Sequence, residues 1–233
     1  MLVFLSDNEL GVFFQIHEGL KRRIRIVRNG ILPYLIDLQN NNNREWYHSH
    51  KADFQKANQD FEDLIEGLIF EIGKVDSSIL GHLPKELTFK LVRDTRFSHD
   101  KSPYNPAFRC HISSAGKMPV PVGYYLAIRP GNHSFLGGGL FADMFKDATN
   151  MIREYISTHT EEFEDITSDP AFAQNFEVKG VSLKKVPKEY PADHPMAKYL
   201  KYKSWYIEYP VDDSLIENTQ SFIGYAAEKF LLI

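Results

Sequence analysis

The chain is poor in cysteine, in long apolar runs and in surplus positive charge. Its 233 residues include one cysteine, Cys110, so no disulfide can form within the chain and a reducing compartment is indicated. No window approaches the roughly 18 apolar residues that a membrane-spanning helix needs. The basic run at 21–28 follows the apolar residues 1–5, which is the wrong order for a secretory signal. We therefore expect a cytoplasmic protein with no membrane partner.

The charge balance disfavours a general nucleic-acid binder. Lys and Arg number 27 against 31 Asp and Glu, for a net charge of −4 at pH 7, whereas such binders usually carry a basic surplus. Residues 1–30 are locally basic and could dock on nucleic acid or a membrane. A loosely attached extension, disordered or arising from a start site placed too far upstream, is favoured over that role. We expect residues 31–233 to form one domain.

Common catalytic and metal-binding motifs are absent. The sequence contains no Gly-x-Ser-x-Gly, His-Glu-x-x-His or Cys-x-x-Cys pattern, so we expect no metal and no cofactor. Gly137-Gly138-Gly139 lacks the lysine of a phosphate-binding loop and favours a strand end that another backbone or a ring approaches closely. Cys110 and His111 would point to opposite strand faces, so they cannot form a dyad, and Cys110 is predicted to be a core residue.

Apolar residues at helical spacing predict several helices. The longest is expected to begin with a capping box formed by Asn42 and Glu45 and to end at Gly73. Another is expected to begin at Asp143 as its N-cap and to bury Met144, Phe145, Ala148, Met151, Ile152, Tyr155 and Ile156. Further helices are predicted at 32–38, 161–166 and 196–200 and from Leu215 to Phe230.

Alternating residues predict strands between these helices. The first is expected at Leu87–Leu91, and others at 108–113, 123–130, 133–137 and 204–209. Pro130-Gly131-Asn132 has the composition of a hairpin turn. Consecutive strands without intervening helices are typical of antiparallel pairing. The sequence therefore predicts an α+β fold, with an antiparallel sheet and helices packed mainly on one face.

The segment from Lys90 to Tyr104 carries the strongest functional signal. It places many charges after a predicted strand, and such charges need either internal partners or a ligand. Prolines at 103 and 106 favour an extended, stiff loop. The candidate ligand-binding residues are Arg93, Asp94, Arg96, Lys101 and Tyr104. Arginine suits a phosphate or carboxylate, but an internal ion-pair network involving Asp94, Asp100 or a distant carboxylate explains the same residues equally well.

This segment resembles the signature of the bacterial domain of unknown function 2461 family. That signature reads Arg-x-x-Arg-Asp-x-Arg-Phe followed by Asp/Asn-Lys-x-x-Tyr, and Lys90 replaces its first arginine here. Other stretches also resemble the family, namely 42–47, 137–140, 186–188 and 193–195. The resemblance covers roughly 31–210 and leaves residues 1–30 outside. It implies a family membership but no reaction.

Two functions follow as hypotheses. In the first, the protein binds a small anionic ligand through Arg93, Arg96, Lys101 and the Tyr104 hydroxyl, with Asp94 orienting an arginine or acting as an acid–base group. In the second, the chain is a noncatalytic interaction module whose Arg-Asp-x-Arg motif is an internal ion-pair brace. Whether the protein is an enzyme, which ligand it takes, its protein partners and its oligomeric state are left open by the sequence.

Overall fold

The computed structural model describes residues 29–141 and 145–233. Residues 1–28 and 142–144, which include Asp143, lie outside this part of the chain, so the role of the basic arm stays a prediction. Asn29 is buried, and its side-chain amide donates to the Ile216 carbonyl at 2.6 Å. The folded region therefore includes Asn29 as well as the residues from 31 onward.

A run of helices is followed by three consecutive strands and then by further helices and a last strand, the segregated order expected for an α+β fold. The elements are α1 Ile31–Asn40, α2 Arg44–Ser49, α3 Lys51–Ile72, a 3₁₀ turn Ser77–Ile79, α4 Pro84–Leu87, β1 Phe108–Ile112, β2 Tyr124–Ile128, β3 Ser134–Leu140, α5 Lys146–Thr158, α6 Thr160–Ser168, α7 Pro170–Ala173, α8 Ala197–Leu200, β4 Trp205–Val211, α9 Asp213–Ile216 and α10 Thr219–Phe230. Among the described residues, no helix is both long and apolar enough to cross a membrane.

The predicted long helix is present but divided. Asn43, rather than Asn42, caps α2 by accepting from the Trp46 amide at 2.9 Å. At His50 the backbone leaves the helical region and α3 begins anew at Lys51. The capping box was therefore placed one residue early, because the Asn42 side chain is engaged with Tyr104 instead.

The four strands form an antiparallel sheet in the order β1-β2-β3-β4. The predicted strand at Leu87–Leu91 is wrong. Leu87 ends α4, and the residues after it approach β1 through the isolated bridge of Thr88 to Cys110 and the hydrogen bond from the Phe89 amide to the Arg109 carbonyl, without forming a strand. The chain then turns away from β1 into the charged loop, so regular pairing is not continued.

The main core lies on one face of the sheet. Helices α1, α3 and α10 bury their apolar faces against Phe108, Cys110, Leu126 and Leu136. Cys110 is fully buried, as predicted for a core residue. The opposite sheet face carries rings and arginines instead, with Tyr125 stacked on Phe135 at 5.7 Å and further side chains at Phe89, Arg109, Arg129, Phe141 and Tyr206.

Helix α5 departs most from its predicted packing. It begins at Lys146 rather than at Asp143. Of the predicted apolar face Ile156 is buried, whereas Met151 is 72% exposed. Arg153 is buried in its place, donating to the Leu200 and Tyr202 carbonyls at 3.1 and 2.7 Å. Helix α5 thus packs on α8, and part of its apolar side remains open.

The glycine run is required by the close approach of β3 and β4, as predicted. A Cβ atom on Gly137 would overlap the Ile207 carbonyl, and one on Gly139 would overlap the Trp205 carbonyl. Gly139 also has a positive φ of 123°, which side-chain-bearing residues rarely adopt. The hairpin before β3 turns through Gly131 and Asn132, both with positive φ.

We expect Gly137→Ala to lower the free energy of unfolding by about 2 kcal/mol or more, because the added methyl group forces β3 away from β4. Gly224→Ala is the matched control. Gly224 is exposed within α10 with open space around it, so this change should raise stability by up to about 1 kcal/mol. Urea unfolding measures both, and equal effects of the two substitutions would contradict the close-approach explanation.

Candidate functional site

The charged segment forms a closed loop rather than a strand end. Val92 bridges to Tyr104, the Arg93 amide donates to the Pro103 carbonyl at 2.9 Å, and the Asn105 amide donates to the Leu91 carbonyl at 2.7 Å. These bonds hold the two arms together, so residues 94–102 project as one loop.

Arg93 braces this loop from the inside. Its guanidinium pairs with Asp100 and donates to the Ser102 hydroxyl at 2.8 Å and the Ser98 hydroxyl at 3.3 Å. Hydrogen bonds from Ser102 and the pairing with Arg93 lower the pKa of Asp100. The Arg93 side chain is 27% exposed, so its guanidinium is neither sequestered in the core nor free of internal contacts.

Arg96 and Asp94 pair with each other at the tip. The Arg96 guanidinium donates to both Asp94 oxygens, the shorter contact being 2.6 Å, and the pairing lowers the pKa of Asp94. Both side chains are more than half exposed. Neighbouring Phe97 is 94% exposed. This pair therefore points into solvent, away from the other predicted site residues.

Asn42 docks the loop onto the helices. Its side-chain amide donates to the Tyr104 carbonyl at 2.9 Å and accepts from the Tyr104 amide at 3.1 Å. The Tyr104 ring is buried and stacks on Tyr47, with ring centres 4.2 Å apart. Because Asn42 lies in the turn between α1 and α2, this pairing places the start of α2 beside the loop.

A pocket of about 490 Å³ lies between the start of α2 and the loop. Three basic side chains, Arg44, Arg93 and Lys101, line it, and no carboxylate is among the described residues of the lining. Lys101 donates to the Thr95 carbonyl at 2.9 Å. Arg44 is exposed and has no ion-pair partner within residues 29–141 and 145–233. The remaining lining residues are Asn42, Asn43, Val92, Thr95, Pro103 and Tyr104.

The structure thus brings together three of the five predicted residues, Arg93, Lys101 and Tyr104, and leaves out Asp94 and Arg96. Sequence reasoning missed Arg44 and Asn42 as site residues. Both residues lie in the stretch 42–47, and the resemblance of that stretch to the family could have identified them. Among the described residues, no group of three or more His, Cys, Asp and Glu side chains could hold a metal ion.

Residues 30–232 match the family described as conserved hypothetical protein (DUF2461). No curated protein and no solved structure matches the chain. The family description names no activity, so the arguments about function depend on geometry.

Asn42→Ala should lower the free energy of unfolding by about 1–2 kcal/mol, because it removes both hydrogen bonds to the Tyr104 backbone. Asn41→Ala is the control, since the Asn41 side chain is exposed and bonds only to the Asp37 carbonyl one turn earlier. Hydrogen–deuterium exchange should show faster exchange across 91–105 in Asn42→Ala alone. Unchanged exchange there would mean that Asn42 does not dock the loop.

Proposed function

The chain belongs to the DUF2461 family of conserved hypothetical proteins, and we propose that it binds a small anionic ligand in the pocket between α2 and the 91–105 loop. The observation that carries this proposal is the meeting of Arg44, Arg93 and Lys101 in one pocket whose lining contains no carboxylate. Like charges that share a site repel one another, and an anion between them relieves that repulsion.

The pocket chemistry suits a phosphate or a di- or tricarboxylate. Two guanidiniums offer flat pairs of N–H donors, which match the oxygens of such anions, and the lysine adds a point charge. Asn42, Asn43 and Thr95 contribute polar groups to the lining. Asn42 is already occupied by Tyr104, so its role is to hold the loop in place rather than to contact the ligand.

The contacts of Arg93 with Asp100, Ser98 and Ser102 and the pairing of Arg96 with Asp94 favour the brace hypothesis. However, the Asp100 side chain is 61% exposed, and the Arg96 and Asp94 side chains are 77% and 57% exposed. Solvent-exposed ion pairs contribute little to stability. A brace also gives no reason for Arg44 and Lys101 to line the same pocket. We therefore favour anion binding, with Arg93 shared between Asp100 and the ligand.

Isothermal titration calorimetry with pyrophosphate and with citrate tests the proposal. Arg44→Ala and Lys101→Ala should each weaken binding of the better probe by about tenfold, as expected for losing one charge-assisted hydrogen bond. Binding should also weaken as the salt concentration rises, because screening reduces the attraction.

Arg96→Ala is the matched control, since Arg96 is paired with Asp94 and does not line the pocket. The affinity of the Arg96→Ala variant for each probe should equal that of the unmodified protein. The assignment of the pocket would be overturned if neither probe bound the protein. It would also be overturned if Arg96→Ala lost as much affinity as Arg44→Ala.

A further inference from the structure

A second and larger cavity lies on the helix-covered face of the sheet, and it shares no lining residue with the basic pocket. Its volume is about 630 Å³, which falls within the range of roughly 300–1,000 Å³ usual for small-molecule sites. Its floor includes a row of three residues that are neighbours across the strands: Tyr124 of β2 is paired with Gly138 of β3, and Gly138 with Ile207 of β4. Because Gly138 has no side chain, this row leaves space above the sheet.

The walls of this cavity are mostly apolar. Helix α5 contributes the side that does not pack on α8, including Met151 and Ile152, and the ring of Trp205 lies on the β4 side. Met151 is 72% exposed. Apolar side chains of a helix that face an open cavity lose the burial that they would gain in a packed core. An apolar ligand body would restore that burial.

Among the described residues that line the cavity, Asp76 is the only charged one. Its carboxylate accepts from the Ser78 amide and hydroxyl at 3.0 and 2.6 Å and from the Tyr124 hydroxyl at 3.2 Å. These donors are neutral, and no described cationic side chain pairs with it. The bonds from Ser78 lower the pKa of Asp76, so the carboxylate is ionised at neutral pH.

Tyr155 is another lining residue, and interaction with the Glu162 carboxylate raises the pKa of Tyr155. The aromatic residues Tyr124, Tyr155 and Trp205 also line the cavity. No Lys, Arg or His is among the described residues that line it.

We infer that this cavity binds a small molecule with an apolar body and a protonated amine, the body lying against Gly138 and Ile152 and the ammonium group meeting Asp76. The inference does not rest on the anion pocket. It predicts that this cavity prefers cationic ligands, whereas the basic pocket prefers anionic ones.

Trp205 makes the inference directly measurable. The chain has two tryptophans, and Trp46→Phe leaves Trp205 as the only one. In this full-length background, Trp205 fluorescence is followed during titration with octylamine, octanol and octanoate at neutral pH. The three probes share one alkyl chain and differ in the charge of the head group. Octylamine should bind most tightly and octanoate most weakly.

Two variants and one control distinguish the effect of the Asp76 charge on binding from the effect of the cavity's shape. Asp76→Asn should weaken octylamine binding by about fivefold, the effect of a half-exposed ion pair, and leave octanol unchanged. Ile152→Phe should weaken all three probes by reducing the space. Asp63→Asn is the charge-matched control, because Asp63 is an exposed residue of α3 outside the cavity, and it should change nothing.

Three results would overturn the inference. One is octanoate binding as tightly as octylamine, and another is an amine preference that survives in Asp76→Asn. The third is an unchanged Trp205 signal with every probe. A failure of pyrophosphate and citrate to bind elsewhere on the protein would leave the outcome of this experiment unaffected.

Discussion

Burial of helix α3 holds the described structure together. Phe61, Leu64 and Leu68 are fully buried between α1, α10 and the sheet, and each such side chain is worth about 1.5–3 kcal/mol relative to its exposed state. Phe61 contacts Phe108 of β1 with ring centres 5.2 Å apart, which joins the helical layer to the sheet. Both proposed binding sites lie at the margins of this core, where packing is incomplete.

The two sites differ because the core ends in different ways. Near the start of α2, a polar turn carrying Asn42 and Asn43 meets a loop closed by backbone bonds, so the boundary is lined with amides and basic groups. At the second site, α5 turns its buried face toward α8. An apolar gap lies between the rest of α5 and the glycines of β3. Basic side chains therefore characterise the first proposed site, and an apolar lining with one carboxylate characterises the second.

Much of the fold was predictable because it depends on local periodicity. The capped start of α2 was placed within one residue, and strands β1, β2, β3 and β4 were all found. The shift of the cap from Asn42 to Asn43 and the loss of the strand at Leu87–Leu91 were not. Both depend on what the chain meets in space: Asn42 is taken by Tyr104, and the residues after Leu87 are drawn into a loop.

The sequence by itself determined the α+β architecture, the family and the concentration of charge at 90–104, since each is written in residue types and spacing. Only the tertiary structure decided which charges share a surface. Arg96 lies eight residues from Tyr104 in sequence and pairs outward with Asp94, whereas Arg44, far earlier in the chain, joins Arg93 and Lys101. The physical reason is that side-chain direction within a loop depends on long-range hydrogen bonds, here those between Asn42 and Tyr104, which no local pattern encodes.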